Sequence, residues 1–327
     1  MQRRRFIAST LAAGAALPFA TVRAQTAPLP TAPVRIVVGF PPGGGTDVMA
    51  RVMAQKLATL WGVPVTVENK AGAGGVIAAE YVAKQPNNGT TLLMTNISNH
   101  AIAPALYPTL GYVVERDFTP LTLVGVTPNL LIANNDLPAR TVADVVAHCK
   151  AQPGKVSFGS AGQGSAQHLA MESFKLAAGV DALHIPYKGS GPMLVDLIGG
   201  QIQYSFDTMT AATPHVKSGK VRAIAQTRAK RASGHPSVPT MAESGFPGFE
   251  ATTWYGLVGP GRMPAAMAQR MNEDINKVLA MPDVKEKLDQ YGAEDGGGTA
   301  QQFAEFIRVE QQKWAKVIKD AKVTVDS

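Results

Sequence analysis

Three short β-rich runs, Val34 to Phe40, Val63 to Val67 and Thr91 to Thr95, alternate with helix-patterned segments near the start of the chain. This alternation constrains the fold more than any other feature. Strands separated by a helix have room for a crossover, so they lie parallel and the crossovers turn right-handed. The helix expected over about Thr46 to Leu60 places Val48, Met49, Val52, Met53, Leu57 and Leu60 on one face. Gly45 or Thr46 offers its N-cap and Gly62 its stop. A second helix is expected over Val76 to Lys84.

The rhythm returns in the middle of the chain. Strands are expected at Val156 to Gly159, Leu183 to Tyr187, Ile202 to Phe206 and Val221 to Gln226. Helices are expected between them, at Ser165 to Ala178, Pro192 to Ile198 and Ala211 to Lys217. The two halves share an architecture and no residue-level repeat. Between them Leu121 to Ala133 is an apolar extended segment, long enough to cross from one α/β unit to the other. A return crossing is then needed near residues 225–230, so that the last helices reach the first unit. Trp254 to Val258 reads as one more strand, and helices at about Pro264 to Ala280, Pro282 to Tyr291 and Ala300 to Ala321 close the chain. The expectation is a two-lobed α/β clamp joined by two crossing strands. Its first lobe takes residues 25–125 and 228–327 and its second lobe 126–227.

Residues 1–24 stand apart from this scheme. Arg3, Arg4 and Arg5 precede an apolar run to Ala20, and Val22-Arg23-Ala24 places small residues before Gln25. That is the pattern of a cleaved secretory signal, too short for a membrane span. The paired arginines before Phe6 also suit twin-arginine export, and both export routes stay open. Without this segment 27 Lys+Arg face 24 Asp+Glu, so the formal charge falls from +7 to +3. No basic stripe remains, and nucleic-acid binding is not expected. Cys149 is the only cysteine, which excludes an internal disulfide, and it reads as a buried small hydrophobe.

In a parallel α/β sheet, ligands bind beyond the carboxyl ends of the strands. Every unusual loop falls at such an end: Pro41 to Asp47, Asn69 to Gly75 and Asn96 to His100 in the first unit, and Ser160 to Ser165, Lys188 to Gly191 and Asp207 to Thr210 in the second. These loops are rich in small residues and precede helices. Glycine lets the backbone approach a ligand, and a helix start presents unpaired N–H groups. Together they suit an anion. Three or four charged hydrogen bonds at roughly 1.5–3 kcal/mol each, less the cost of ordering the lobes, fall near the ~8 kcal/mol of a micromolar complex. Apolar contact from an organic body closes the gap, so a small organic acid fits. Phe40, Ala73, Ser160 and Tyr187 join these loops as candidate contacts.

Other chemistries fit less well. "PPGGGTD" lacks the Lys-Ser/Thr of a phosphate-binding loop, and "GSAGQGSAQ" has Gln167 where a dinucleotide fingerprint needs its third glycine. A nucleotide-binding module stays a third option. No His, Cys, Asp or Glu cluster has metal spacing, and no cofactor is expected. Ser165 and His168 lie three residues apart at a helix start, which leaves a secreted hydrolase or sugar-acid-modifying enzyme as an alternative; neither Ser160 nor Ser165 makes the G-x-S-x-G elbow. Ser165 also reads as a plain N-cap, Asp47 as a helix-start acid, and His168 and Lys188 as packed or surface residues. Tyr187 and Trp254 suit either a cleft wall or the core. Gly296 to Gly298 reads as a linker.

Five segments in order carry a family resemblance: "PVRIVVGFPPGGGTDVMAR", "VENKAGAGGVIAAEYVAK", "SFGSAGQGSAQHLAMESFK", "IPYKGSGPMLVDLIGGQIQYSFD" and "PTMAESGFPGFEATTWYGLVGP". The chain resembles the extracytoplasmic solute receptors of the tripartite tricarboxylate transporter type, the Bug proteins, over essentially all residues after the signal. The resemblance implies a periplasmic binding protein fold, type II-like, with carboxylate ligands held between the lobes and often bridged by ordered water to the first. By motif, Gly44, Thr46 and Asp47 match the first-lobe loop, Ser98 and His100 its third loop, Gly162 and Ser165 the second-lobe anion loop, and Asp207 the acid ending the "FD" strand. It further implies membrane transporter subunits as docking partner, with a sensing role as the alternative; a monomer is expected. Asp207 in the cleft would suit a ligand carrying an amino or hydroxyl group.

Overall fold

The computed structural model describes residues 29–325; the expected signal segment lies outside them. Val34–Val38 forms β1, and it is apolar at nearly every position because both its faces are covered. It lies parallel between β2 (Val65–Asn69) and β3 (Thr91–Asn96). α1 (Gly45–Trp61) and α2 (Val76–Ala83) make the crossovers. Gly62 stops α1 with φ 69°, the left-handed turn that glycine takes without strain. After β3 the chain makes one π-helical turn, Ser98–Ile102, then the short helices α3 (Ala103–Leu106) and α4 (Val114–Asp117).

The crossing segment is β4, Phe118–Ala133, a single strand of 16 residues. Beyond it come α5 (Val142–Ala151), β5 (Ser157–Ser160), α6 (Ala166–Ala178), β6 (Leu183–Pro186), α7 (Ser190–Ile198), β7 (Tyr204–Thr208), α8 (Met209–Lys217) and β8 (Arg222–Gln226). β5 lies parallel to β6 and β7. β9 (Thr252–Pro260) returns, followed by α9 (Ala265–Leu279), α10 (Pro282–Gln290) and α11 (Ala300–Asp320). The strands order as β2-β1-β3-β9-β4-β7-β5-β6, with β8 on the other side of β4.

β4 therefore belongs to both α/β units. As far as Pro128 it pairs antiparallel with β9, and from Asn129 it pairs antiparallel with β7 and β8. The two passages meet at that point. The Thr227 amide donates to the Asn129 carbonyl (3.0 Å), and the Ala251 amide to the Thr227 carbonyl (3.1 Å). Asn129 Nδ2 donates to the Ala251 carbonyl (2.7 Å), and Thr253 Oγ1 to Asn129 Oδ1 (3.0 Å). Each polar group at this joint is buried and partnered, as a low-dielectric site demands.

Two local expectations are revised and one is settled. The segment after residue 228 does not pass straight to the first unit. Phe246 packs on Phe174 of α6 and Phe249 on Phe206 of β7, at ring separations of 5.9 and 6.4 Å, because they complete the aromatic cluster around Phe158. Gly296 to Gly298 is no free linker. Gly297 bridges to Leu123 of β4, and a Cβ at Gly296 would stand 2.2 Å from the Val124 carbonyl oxygen. Trp254 is core, with its ring against Phe303 and its indole N–H on Glu310. Cys149 is a buried free thiol on α5, and no helix among the described residues is long and apolar enough to cross a membrane.

Candidate functional site

Four helices begin around one small chamber. Gly44, Gly45 and Thr46 come from the start of α1, Ala166 and Gln167 from α6, Ser190 from α7, and Thr208 caps α8. Each start presents amides with no partner inside its helix, and each adds a positive dipole end. Asn96, Ser98, Thr253 and Tyr255 complete the wall. The chamber measures about 20 Å³. It opens beside Phe40 and Ala161 toward a larger one of about 640 Å³, walled by the Gly39 to Pro41 and Ala71 to Gly74 loops on one side and by Gly162, Gln163, Tyr187 and Lys188 on the other. Among the described residues lining the two chambers, Lys188 alone carries a formal charge.

Short polar contacts set this geometry. Asn96 Nδ2 donates to Thr46 Oγ1 (3.0 Å), while Asn96 Oδ1 accepts the Ser98 amide (3.0 Å). Ser98 Oγ accepts the Ala166 amide (3.2 Å), a bond from the first unit to the start of α6. The units also lie close where a Cβ on Gly189 would stand 2.7 Å from Pro41 Cδ and one on Gly74 3.3 Å from the Gln163 carbonyl oxygen. Gly45 is needed for close approach: a Cβ there would stand 2.2 Å from the Tyr255 hydroxyl and 2.8 Å from Thr208 Oγ1. Gly162, at φ 126°, holds a backbone that side chains other than glycine resist.

Of the residues singled out from sequence, Phe40, Gly44, Thr46 and Ser98 line the inner chamber, and Phe40, Ala73, Gly162 and Tyr187 the outer one. Tyr187 lines it, packs partly against the core and donates its hydroxyl to Asp196 (2.7 Å). Five others stand behind the walls. Asp47 accepts from Arg51 Nε and Nη2 (2.9 Å each), the Gly43 amide (3.0 Å) and Asn69 Nδ2 (2.9 Å). Burial raises its carboxyl, but these bonds outweigh burial and hold it below its ordinary range. It fixes the loop and is consumed in doing so.

His100 is carried by the π-helical turn into an aromatic nest, 4.5 Å from the Phe118 ring and away from both chambers. Burial lowers it to about 3. Ser165 caps α6 by accepting the His168 amide (3.3 Å), and its hydroxyl and the His168 ring are not bonded to each other. Ser160 accepts the Gly162 amide (3.1 Å) and meets His184 Nε2 (2.6 Å).

Asp207 is fully buried one layer behind the inner chamber. Its Oδ1 accepts from Ser190 Oγ (2.7 Å), the Thr208 amide (2.8 Å) and Gln167 Nε2 (3.1 Å). It thereby aims two wall residues, Gln167 and Ser190. Asp207 Oδ2 has no partner, nor do the buried hydroxyls of Thr210 and Tyr255. The Tyr255 hydroxyl lies near Thr208 and Thr210 without forming a bond of good geometry. Burial raises Asp207 to about 6, against the lowering effect of its three donors.

Sequence reasoning missed Asn96, Gln167, Ser190, Thr208, Thr253 and Tyr255. Asn96, Ser190 and Thr208 sit in loops that it did mark, and Gln167 lies two residues past one, in the first turn of α6, all as unremarkable polar residues. Thr253 and Tyr255 come from the first half of the antiparallel strand β9, where a rule about parallel strand ends has no purchase. No group of His, Cys, Asp or Glu among the described residues has the geometry to hold a metal ion.

Known proteins are similar to this chain in sequence and fold. Residues 49–323 match the model of the tripartite tricarboxylate transporter family receptor. Protein BugT of Bordetella pertussis (strain Tohama I) is 40% identical over 292 residues, covering 89% of this chain and 90% of that protein. Two solved structures are similar throughout. Rpa4515 of R. palustris with adipate has a TM-score of 0.88 at 36% identity, covering 90% of this chain and 99% of its own. MatC of Rhodopseudomonas palustris with bound malate has a TM-score of 0.83 at 31% identity, covering 89% and 100%. With most of its length matched by the family model and its fold shared with carboxylate-bound relatives, the chain belongs to the tripartite tricarboxylate transporter receptor family, as a Bug-type solute-binding protein.

Proposed function

We propose that this protein is a periplasmic receptor whose two lobes close on a small carboxylate, without chemistry, and pass it to the membrane subunits of a tripartite tricarboxylate-type transporter. The observation that carries this reading is the convergence of four helix starts on a chamber walled by neutral donors. A carboxylate there gains charge-assisted hydrogen bonds and dipole stabilisation and meets no counter-ion to displace. Hydrogen bonds of about 1.5–3 kcal/mol and helix-end terms of about 0.3–1 kcal/mol favour the anion over its neutral acid. The outer chamber, with Phe40, Ala73 and Tyr187 on its walls, takes the organic body, and Lys188 meets a distal acid group at the mouth.

A mono- or dicarboxylate ligand is proposed, and the relatives with adipate and malate support the dicarboxylate. The inner chamber is walled by both units, so the carboxylate enters through hinge opening at Asn129, Thr227 and Ala251 and the lobes reclose around it. Residues 1–24 direct export and are removed near Ala24, and the mature receptor acts as a monomer. Gly44, Thr46, Ser98, Gly162 and the starts of α6 and α7 make the first contacts, with Asp47, Ser165 and Asp207 supporting them. Mixing the purified protein with a carboxylate panel should raise its melting temperature, and mass spectrometry should recover each ligand intact. Turnover that stops in Ser165→Ala would replace this reading with the hydrolase one.

A further inference from the structure

Behind the glycine loop that joins β5 to α6 lie two stacked histidines. The rings of His168 and His184 are 3.9 Å apart and 8° from parallel. Each takes hold of one end of the loop. His168 Nδ1 accepts the Gly164 amide (3.2 Å). His184 Nε2 meets Ser160 Oγ (2.6 Å), and that hydroxyl accepts the Gly162 amide (3.1 Å). Two of the loop's amides are thus drawn backward, to the histidine side. The Gly162–Gln163 segment between these anchors stands against the outer chamber.

We infer that His168 is a positioning residue for the anion loop, acting as a neutral imidazole whose Nδ1 lone pair pins the Gly164 amide. Only a ring unprotonated at Nδ1 can accept that bond, which assigns the Nε2–H tautomer. The titratable groups facing the ring are His184 on β6 and Glu172 and Lys175 on α6 itself. Nε2 stands 3.9 Å from Glu172 Oε1, whose charge is already engaged by Lys175 Nζ (3.1 Å). Burial, then His184 and Lys175, lower His168 to about 3, and burial with Lys175 lowers His184 to about 4. The pair therefore stays uncharged at neutral pH. A neutral anchor suits its place. A cation there would turn an N–H toward the Gly164 N–H and repel it, releasing the loop.

The loop's role in ligand capture rests on the receptor reading above; the anchoring does not, and the test separates them. Asparagine at 168 sets its Oδ1 where Nδ1 stood, whereas glutamine carries its amide out toward the place of Nε2. Both are polar and cannot become cationic. In the ligand-free protein, nitrogen NMR should show His168 unprotonated at Nδ1, and the Gly164 amide should exchange slowly with solvent. His168→Asn should keep that exchange within about threefold of wild type, and His168→Gln should speed it by about tenfold, the loss of one buried hydrogen bond. Circular dichroism checks that each variant is folded; if His168→Gln fails to fold, the tautomer and the His168→Asn exchange rate decide alone.

Binding of adipate, used as the probe, should weaken by about tenfold in His168→Gln and by less than about threefold in His168→Asn. An Nδ1–H tautomer, or Asn and Gln variants with equal Gly164 exchange, would overturn the inference. Absence of adipate binding by wild-type protein would count against adipate as ligand and leave the exchange result to judge the anchor.

Discussion

Ser98 Oγ accepts the Ala166 amide at 3.2 Å, and this bond ties the end of β3 to the start of α6 across 68 residues of sequence. It uses one of the helix-start amides from which the site is built. The hydroxyl lines the inner chamber while accepting, so its own hydrogen stays available to a ligand oxygen. Ser98→Ala removes both contacts and leaves the Ala166 amide buried without a partner. The variant should bind the cognate carboxylate about tenfold more weakly, near 1–1.5 kcal/mol. Its ligand-free form should scatter X-rays as a more open particle. Titration calorimetry and solution scattering check the two parts; unchanged affinity with an unchanged radius would show that this bond holds nothing.

Gly45 makes a sharper prediction. Its missing side chain lets Tyr255 of β9 and Thr208 before α8 close on the start of α1. Gly45→Ala drives a methyl into the Tyr255 hydroxyl and should cost about 1–3 kcal/mol, the usual penalty of overpacking. Tyr255→Phe removes the atom in closest conflict. The double variant should recover part of the loss, since the ring carbon behind the hydroxyl lies 3.2 Å from the added Cβ. Denaturant melts of the two single variants and the double give the coupling directly. Strict additivity would mean that the two residues do not meet.

Much of this arrangement is legible in the residues, and the rest is hidden for definite reasons. β1 and α1 declare themselves through the unbroken apolar run Val34 to Val38 and the stripe through Met49, Met53 and Leu57. Gly44, Thr46 and Gly162 are legible as chamber lining because small residues at parallel strand ends leave few other uses. His100 is misjudged because nothing in "NISNH" announces a π-helical turn, and that extra residue per turn carries the ring from the cleft into the Phe118 nest. The stretch after residue 228 is assigned to the first unit because its prolines give no period. Only its isolated aromatics, Phe246 and Phe249, hold the information that it packs on α6 and β7. Tyr255 escapes notice because a core tyrosine and a site tyrosine in an apolar strand read alike until the partner strands are known.

The joint between the units depends on Asn129. Its side chain bonds the Ala251 carbonyl and the Thr253 hydroxyl, and its backbone amide donates to Thr227 Oγ1 at 2.9 Å. Asn129→Ala keeps the strand but leaves the buried Thr253 hydroxyl without its acceptor and strips the Ala251 carbonyl of one of its two side-chain donors, the other being Thr227 Oγ1 (2.8 Å). A cost of about 1–3 kcal/mol per unsatisfied group is expected, partly relieved where Thr253 finds another acceptor. The variant should melt lower, and its ligand affinity should fall because the closed state loses definition. Asn129→Asp tests the donor alone: a carboxylate facing the Ala251 carbonyl should destabilise more near neutral pH than in acid, where the protonated form restores a donor.

Asp207 should govern how the ligand-free protein responds to pH. Burial raises its carboxyl from 3.8 to about 6, so the folded chain holds this proton more tightly than the unfolded chain does. Its contribution to stability is present below about pH 4 and is lost as pH rises through about 6. An asparagine in its place would accept the same three donors through one oxygen and never ionise, so Asp207→Asn removes the loss. The variant should match or fall below wild type near pH 4 and gain on it as pH rises to 7. A gain of about 1–3 kcal/mol follows, because each tenfold difference in proton affinity between the folded and unfolded chain is worth ~1.4 kcal/mol. Melting temperatures of both proteins across that range check the sign. A variant that loses ground as pH rises would show that Asp207 is held charged by partners other than Ser190, Gln167 and Thr208.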